Sequence, residues 1–366
     1  MSNTATQCKQ CDRAFVPKSK VNVFCSRQCQ LDYRARRSAD ESARRNETGF
    51  AWPPVAPAPA LTVKVPRATP RPCKWRTAVV LPDQQFGYRQ LLDGTFQSFH
   101  DERALHIAEQ VIEVERPHLT VMLGDVLDLP AHGRYRQEPS FVTTTQRAID
   151  RASRHIATVA ALSRETRVLE GNHDARLSNY VLDNALASAG LRQARRQPGD
   201  YPPMTVPHLL NIADMPNTKW VGGYPSGATY VNENLAAIHG RRTGRNMLDR
   251  VLDDERVSVV FGHVHRIVAM WQTRNTRTSP KFNQALSPGC LCRIDGTVPS
   301  ARAGLDPWIA PPRSWEDWQQ GLAVVRYEPG DGRFHVEMVP IIPLDDRSWA
   351  LHRGQEFVSK KEFDPK

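Results

Sequence analysis

The chain of 366 residues contains no long apolar run. Stretches such as Val79-Val80-Leu81 and Val257-Ser258-Val259-Val260-Phe261 fall far short of the ~20 residues that a membrane-crossing helix needs. The N-terminus is polar and carries Cys8 and Cys11, so it lacks the apolar core of a signal peptide. Cysteine is scarce and odd in number, seven in all, which argues against a secreted disulfide scaffold and for a reducing compartment. No long internal repeat is visible. Together these absences predict a soluble, cytoplasmic protein. Its length is enough for one large domain, or a medium domain with appendages.

Acidic residues are scarce in only one region. Residues 1–76 hold 15 Lys or Arg and 5 Asp or Glu, a net of +10, whereas the remaining residues hold 34 of each sign and are neutral. The formal charge of +10 therefore belongs to an N-terminal arm and not to the body. Such an arm suits a polyanion partner, most often nucleic acid. A solubilising tail has the same charge signature.

Cysteines pair within that arm. Cys8-Lys9-Gln10-Cys11 is followed by Cys25-Ser26-Arg27-Gln28-Cys29, and these spacings suit one tetrahedral structural zinc held by Cys8, Cys11, Cys25 and Cys29. A helix is expected from about Gln28 to Arg37, and Phe15, Val23 and Phe24 would form the small core that zinc makes viable. Arg34, Arg36 and Arg37, with Arg44 and Arg45 further on, make a basic stripe suited to phosphate contacts. A finger that contacts protein is the alternative. Residues 51–72 then contain seven prolines and no acidic residue, the composition of a semi-rigid spacer.

From residue 76 the pattern alternates between strand and helix. Thr77 to Leu81, Leu119 to Leu123, Arg167 to Leu169, Leu235 to Ile238 and Val257 to Phe261 read as strands. Residues 101–116 and about 142–163 read as helices, the first with Asp101 and Glu102 in its opening turn. Four later stretches, near 266–271, 283–287, 321–327 and 333–338, read as antiparallel strands. The expected layout is a finger over 1–45, a linker over 46–75, a body over 76–345 and a tail over 346–366.

Each of the first five strands runs into a polar segment. In order these are Asp83-Gln84-Gln85, Gly124-Asp125-Val126-Leu127-Asp128, Gly171-Asn172-His173-Asp174, His239-Gly240 and Gly262-His263-Val264-His265. Hard oxygen and imidazole ligands at successive strand ends converge even though they are distant in sequence. Carboxylate, amide and imidazole donors suit manganese, iron or zinc, whereas an all-oxygen cage suits magnesium or calcium. Phosphate-ester hydrolysis needs a nucleophile, charge neutralisation and an acid. Two metals roughly 4 Å apart, with a bridging hydroxide, supply the first two, and a free histidine is a natural acid for the leaving oxygen.

Over about residues 77–340 these five motifs resemble the calcineurin-like metallophosphoesterases. The resemblance implies an α/β fold, a β-sandwich flanked by helices, with two metals between the loop ends of the sheets. It implies that Asp83 and His265 hold the first metal, that Asn172, His239 and His263 hold the second, and that Asp125 bridges both. His173 would lie beside the metals as the acid and Asp174 would orient it, with Asp128 in a supporting role around the loop of Asp125. One departure stands out. The family usually has Asp-x-His at the first motif, and here Gln85 takes the place of the histidine. Some phage members share the Asp-x-Gln form, which favours retained function with Gln85 as a carbonyl ligand and manganese at that site. The N-terminal pattern similarly resembles treble-clef or ribbon-like fingers that accompany phage and bacterial DNA enzymes, so the compartment would be a host cytoplasm.

Arg241 and Arg242, with Arg245, follow His239 and are the candidate phosphate contacts outside the metal shell; a solvated helix start explains them equally well. Cys290 and Cys292 are expected as buried thiols. His100 and His132 have weaker claims on the site. The resulting expectation is a dinuclear phosphodiesterase or nuclease acting on DNA or RNA. The alternatives are a phosphomonoesterase tethered by the finger, and a nucleic-acid-binding protein without catalysis.

Overall fold

The computed structural model describes residues 5–17, 23–47, 74–133, 139–196, 199–275, 279–299 and 316–360. The proline-rich stretch 51–72, Cys73, and the side chains of Arg44 and Arg45 lie outside the described residues. The chain divides into two units, Met1–Pro57 and Ala58–Lys366.

The first unit holds a two-stranded antiparallel hairpin, β1 (Thr6–Gln7) with β2 (Ala14–Phe15), followed by the helix α1 (Arg27–Glu47). Ser26 Oγ accepts from Cys29 N at 3.1 Å, the kind of side-chain contact that satisfies an orphan donor at a helix start. The expected helix is present and runs on past Arg37 to Glu47.

In the second unit the chain passes through β3 (Arg76–Leu81), β4 (Tyr88–Gln90), β5 (Phe96–Ser98), α2 (Glu102–Glu115), β6 (Leu119–Met122), α3 (Thr145–Leu162) and β7 (Thr166–Leu169). Then come α4 (Ala175–Asn184), α5 (Val206–Leu209), β8 (Thr218–Val221), β9 (Ala228–Asn232), β10 (Leu235–Ile238), α6 (Met247–Asp254) and β11 (Ser258–Phe261). The last six strands are β12 (Ile267–Asn275), β13 (Pro280–Pro288), β14 (Gln320–Tyr327), β15 (Phe334–Pro343), β16 (Ser348–His352) and β17 (Gln355–Ser359).

These strands form two main sheets. The larger has the order β17-β16-β15-β14-β3-β6-β7-β8, the smaller β12-β13-β11-β10-β9, and β4 and β5 make a separate hairpin. Strand β3 shows why the sheets stack. Ala78 and Val80 face one way, toward Leu235, Ala237, Val260 and Leu286 of the smaller sheet. Val79 and Leu81 face the other way, toward Leu105 and Ile112 of α2 and Ile156 of α3. A period of two with both faces apolar needs cover on both sides. On the outer face of the smaller sheet, Met247 and Val251 of α6 cover Val259 and Phe261 of β11. The architecture is therefore a mixed α/β sandwich flanked by helices, as expected.

Two departures concern extent. The segment 346–366, set apart by sequence as a tail, contributes β16 and β17 to the edge of the larger sheet. Strands β8 and β9 carry no strong apolar pattern, and neither they nor helix α4, which buries Ala175, Leu177 and Val181, are among the elements expected from the sequence. Among the described residues, no helix is long and apolar enough to cross a membrane.

The parallel run β3-β6-β7 aligns Leu81 with Met122, and Met122 with Val168. The parallel pair β10-β11 aligns Ile238 with Phe261. All five polar segments follow the carboxyl ends of these strands, where open α/β sheets gather ligands.

Candidate metal centre and catalytic site

Backbone strain marks the place. Among the described residues, eleven non-glycine residues have positive φ, and five of them are Asp83 (29°), Gln85 (48°), Asp125 (49°), His263 (70°) and His265 (55°). Left-handed backbone at such residues is unfavourable and collects at functional sites. Here each strand stops abruptly and aims its next side chain into the crevice. Gly171 permits the closest approach: a Cβ there would lie 2.1 Å from Asp125 Oδ1 and 2.2 Å from Asp125 N.

The side chains converge in two overlapping groups, Asp83-Asp125-His265 and Asp125-His239-His263, and within each the ligand atoms lie within 4.8 Å of one another. Asp83 and Asp125 are 0 % and 1 % exposed. Asp83 accepts the His263 N–H at 2.9 and 3.1 Å, and its Oδ1 lies 3.3 Å from His265 Nε2. Asp125 Oδ1 accepts the His173 N–H at 2.8 Å, leaving Oδ2 3.4 Å from His239 Nε2. Asn172 Oδ1 is 2.9 Å from that same nitrogen. Gln85 packs against His265 with Nε2 3.2 Å from Nε2 of the ring, and its main-chain N–H donates to Asp125 O at 2.8 Å. The sequence-predicted ligands Asp83, Gln85, Asp125, Asn172, His239, His263 and His265 thus meet at one place.

The donor set fits divalent cations. His239 Nδ1 faces the Leu123 carbonyl at 2.8 Å and donates to it, which turns Nε2 toward the oxygens of Asn172 and Asp125. Polar atoms that close on one another in this way need positive charge between them, which a proton on Nε2 or a bound cation supplies. Burial opposes charge on His239, but Asp125 and Asp83 outweigh it and lift it to about 9. His263 moves the other way, to about 4, pressed down by burial and then by the charge on His239. Two buried carboxylates and three imidazoles of this kind call for cations that the protein itself does not supply in full.

Around the ligands, two expected roles exchange. Asp174 does not orient His173. Its buried carboxylate accepts main-chain N–H groups of Leu127 (2.9 Å), Gly171 (2.9 Å) and Val126 (3.2 Å), so it ties the Asp125 loop to the Asn172 loop. Burial and the Asp125 charge push it up to about 7. Asp128 takes the orienting part: its Oδ1 lies 2.5 Å from His173 Nδ1, and it is completely buried. The reason is geometric. Asp174 is already helical, with φ −61° and ψ −40°, so its side chain turns back toward the loops that precede it.

Sequence reasoning missed Arg176. It lies on the first turn of α4, three residues after His173, and its Nη2 is 3.0 Å from His173 Nε2. Helical i, i+3 spacing after the Gly-Asn-His-Asp segment was the available signal. Tyr224 was also missed, and its ring packs edge-on against His239 at 5.7 Å. By contrast, Arg242 is committed to Asp254 through contacts of 2.8 and 3.0 Å, which removes it as a free phosphate contact. Arg241 is exposed and 3.9 Å from the same carboxylate. Cys290 and Cys292 are buried as expected, with Cys292 Sγ 4.0 Å from His265 Nδ1. His100 is buried against Glu102 at 3.2 Å, and His132 packs on Tyr180.

In the first unit, Cys8, Cys11, Cys25 and Cys29 form a single cluster. Three Sγ–Sγ separations are 3.5, 3.6 and 3.8 Å. Zinc–sulfur bonds of about 2.3 Å in a tetrahedron place sulfurs about 3.8 Å apart, so the cluster fits one structural zinc. Arg34, Arg36 and Arg37 stand exposed on α1.

No protein-family description matches the chain, and no curated protein matches it. Among solved structures it is similar to Yfce, a phosphoesterase from E. coli, at 12 % identity over 72 % of this chain and 98 % of that one, with a TM-score of 0.29. It is also similar to a protein of Thermus thermophilus, TT1561, at 10 % identity over 59 % of this chain and 90 % of that one, with a TM-score of 0.25. Likenesses of this degree carry no weight for activity, and the case for function rests on the residues themselves.

Proposed function

We propose that the chain is a metal-dependent phosphoesterase that hydrolyses phosphodiester bonds of DNA or RNA. The observation that carries the hydrolytic part is the buried meeting of Asp83, Asp125, Asn172, His239, His263 and His265, with His173 beside them. Asp83, Gln85 and His265 would hold one cation and Asn172, His239 and His263 the other, with Asp125 shared. Manganese is the first choice, with iron or zinc as alternatives. When bound, the cations supply an activated water nucleophile and neutralise charge developing on the phosphate.

The chain's own residues do the rest. Asp128 holds the His173 ring through Nδ1, which makes Nε2 the atom that passes a proton to the leaving oxygen. Arg176, with one Nη on the Asp128 carbonyl and the other at that same edge, brings a guanidinium charge close to where the phosphate would sit. Asp174 keeps two ligand loops in register. The nucleic-acid part is supported by the finger, the basic arm and the exposed arginines of α1.

The test is to incubate the manganese-loaded protein with single- and double-stranded DNA and RNA, beside an Asp125→Asn/His173→Ala control. Cleavage by the wild type alone is the expected result. Hydrolysis of a nitrophenyl phosphate monoester with every nucleic acid left intact would replace this reading with a phosphomonoesterase tethered by its finger. No hydrolysis of either would leave a binding protein.

A further inference from the structure

The opposite end of the sandwich carries a second charged cavity. Strands β3, β6 and β7 are parallel and start there, so Arg76 at the head of β3 lies about 20 Å from the loop of Asp83, at ~3.3 Å per residue. The cavity, of about 460 Å³, is lined by Arg76, His118, Arg164, Glu165, Arg167 and Tyr327 among others. That volume is within the range of small-molecule sites, about 300–1,000 Å³.

Its charges do not cancel. Arg167 is held by Glu165 at 2.9 Å, and by Thr229 Oγ1 and Tyr230 O at 2.9 Å each. Glu165 is shared with Lys219 at 3.1 Å, so one carboxylate serves two cations. Arg76 and Arg164 meet no carboxylate among the described residues, although Arg76 reaches the Tyr327 hydroxyl. The His118 Nδ1 accepts the Thr77 N–H at 3.3 Å, which leaves Nε2–H as a donor. Burial, and then the Arg164 and Arg76 charges, lower the affinity of His118 for a second proton, so both guanidinium groups act on this ring. Leu119, Val231 and Pro329 complete the lining, and Arg76 and Arg164 are exposed at its rim.

We propose that this cavity is a second anion site that binds a phosphate group through Arg76 and Arg164, with His118 Nε2–H as a further donor, apart from the hydrolytic centre. Guanidinium forks match phosphate oxygens in a bidentate way, which selects phosphate over a simple halide. The phosphate belongs either to a free phosphorylated small molecule or to a nucleic-acid strand, and both present the same chemistry to the cavity. The inference does not depend on the phosphoesterase reading, because none of these residues belongs to the metal cluster.

The experiment is calorimetric titration of full-length protein with inorganic phosphate and, separately, with a short oligothymidylate. Both the wild type and an Asp125→Asn background are used, the second removing the draw of the hydrolytic centre. Phosphate is expected to bind in both backgrounds, and Arg76→Ala/Arg164→Ala is expected to weaken it about 10- to 100-fold. Hydrolysis of a small phosphate ester stays unchanged in that double variant. Arg76→Lys/Arg164→Lys, which keeps charge without the fork, should restore part of the affinity and guards against a folding defect. A parallel loss of oligonucleotide affinity assigns the phosphate to a strand, and unchanged oligonucleotide affinity assigns it to a free ligand. Equal phosphate affinity with and without the two arginines, or no binding in the Asp125→Asn background, overturns the proposal.

Discussion

His173 and Asp128, 45 residues apart, are joined Nδ1 to Oδ1 in the buried wall of the metal cluster. The bond fixes which ring nitrogen faces the crevice. It also divides the labour of the neighbouring acids, because Asp174 spends its oxygens on three main-chain N–H groups instead.

That division predicts different defects for two similar substitutions. Asp128→Asn is expected to lower kcat about 10- to 100-fold while metal content and melting temperature hold, since the carboxylate's contacts are with the His173 ring and the Arg176 guanidinium and not with the ligand loops. Asp174→Asn is expected to destabilise the fold by about 1–3 kcal/mol, because its amide offers one acceptor where two oxygens served three donors. Steady-state kinetics and thermal melting of both variants, measured together, decide it. Matching behaviour would refute the division.

Arg176 and Arg242 give a second contrast. Arg176→Ala, at the His173 edge, is expected to reduce kcat/KM about 10- to 100-fold. Arg242→Ala releases only a half-exposed pair with Asp254 and is expected to change kcat/KM less than about threefold. The check is the same ester assay on each variant.

Gly171→Ala should fail for steric reasons. The added methyl meets Asp125 main chain at 2.2 Å, which cannot swing aside. A loss of about 3 kcal/mol or more is expected, with divalent metal content falling as the Asp125 loop is displaced. Denaturant unfolding and elemental analysis read the two effects separately.

Cys25→Ser should remove one zinc equivalent per chain, since the remaining three thiols no longer close a tetrahedron. Limited proteolysis is expected to digest the first unit while hydrolysis of a small ester persists. A zinc content unchanged from wild type would rule out the four-cysteine site.

Acid sensitivity should trace in part to Glu115. Burial raises this carboxyl, but Arg326 and His352 outweigh it and hold it at about 2. Arg326 reaches it at 2.6 Å and His352 at 2.7 Å. The folded-state value is below the ordinary 4.5, so its contribution is present above about pH 4.5 and is lost as pH falls toward about 2. Glu115→Gln should therefore be less stable than wild type at pH 6, with the gap closing through that window. Urea unfolding at stepped pH measures it; a gap independent of pH would refute the assignment.

Much of the body was legible in the chain because its signals are local. Pro82, Gly124, Gly171 and Gly262 break apolar strands just before or at polar ligand residues. Strands β8 and β9 were not legible. Thr218–Val221 and Ala228–Asn232 become strands through pairing with β7 and β10, a long-range condition that no local pattern records. The last hairpin, β16 with β17, is hidden in the same way, because it joins the larger sheet only through pairing with β15.

The amino-acid sequence by itself determined the ligand types, their order, and their placement after strands, because these depend on residue chemistry and local breaks. It also determined the cysteine spacing of the finger and the separation of a basic arm from a neutral body. Only the tertiary structure decided which carboxylate serves His173, that Arg176 reaches it, and that Arg242 is bound to Asp254. Those outcomes depend on where side chains point once two sheets have stacked, and a side chain's direction is set by neighbours that the chain brings from far away.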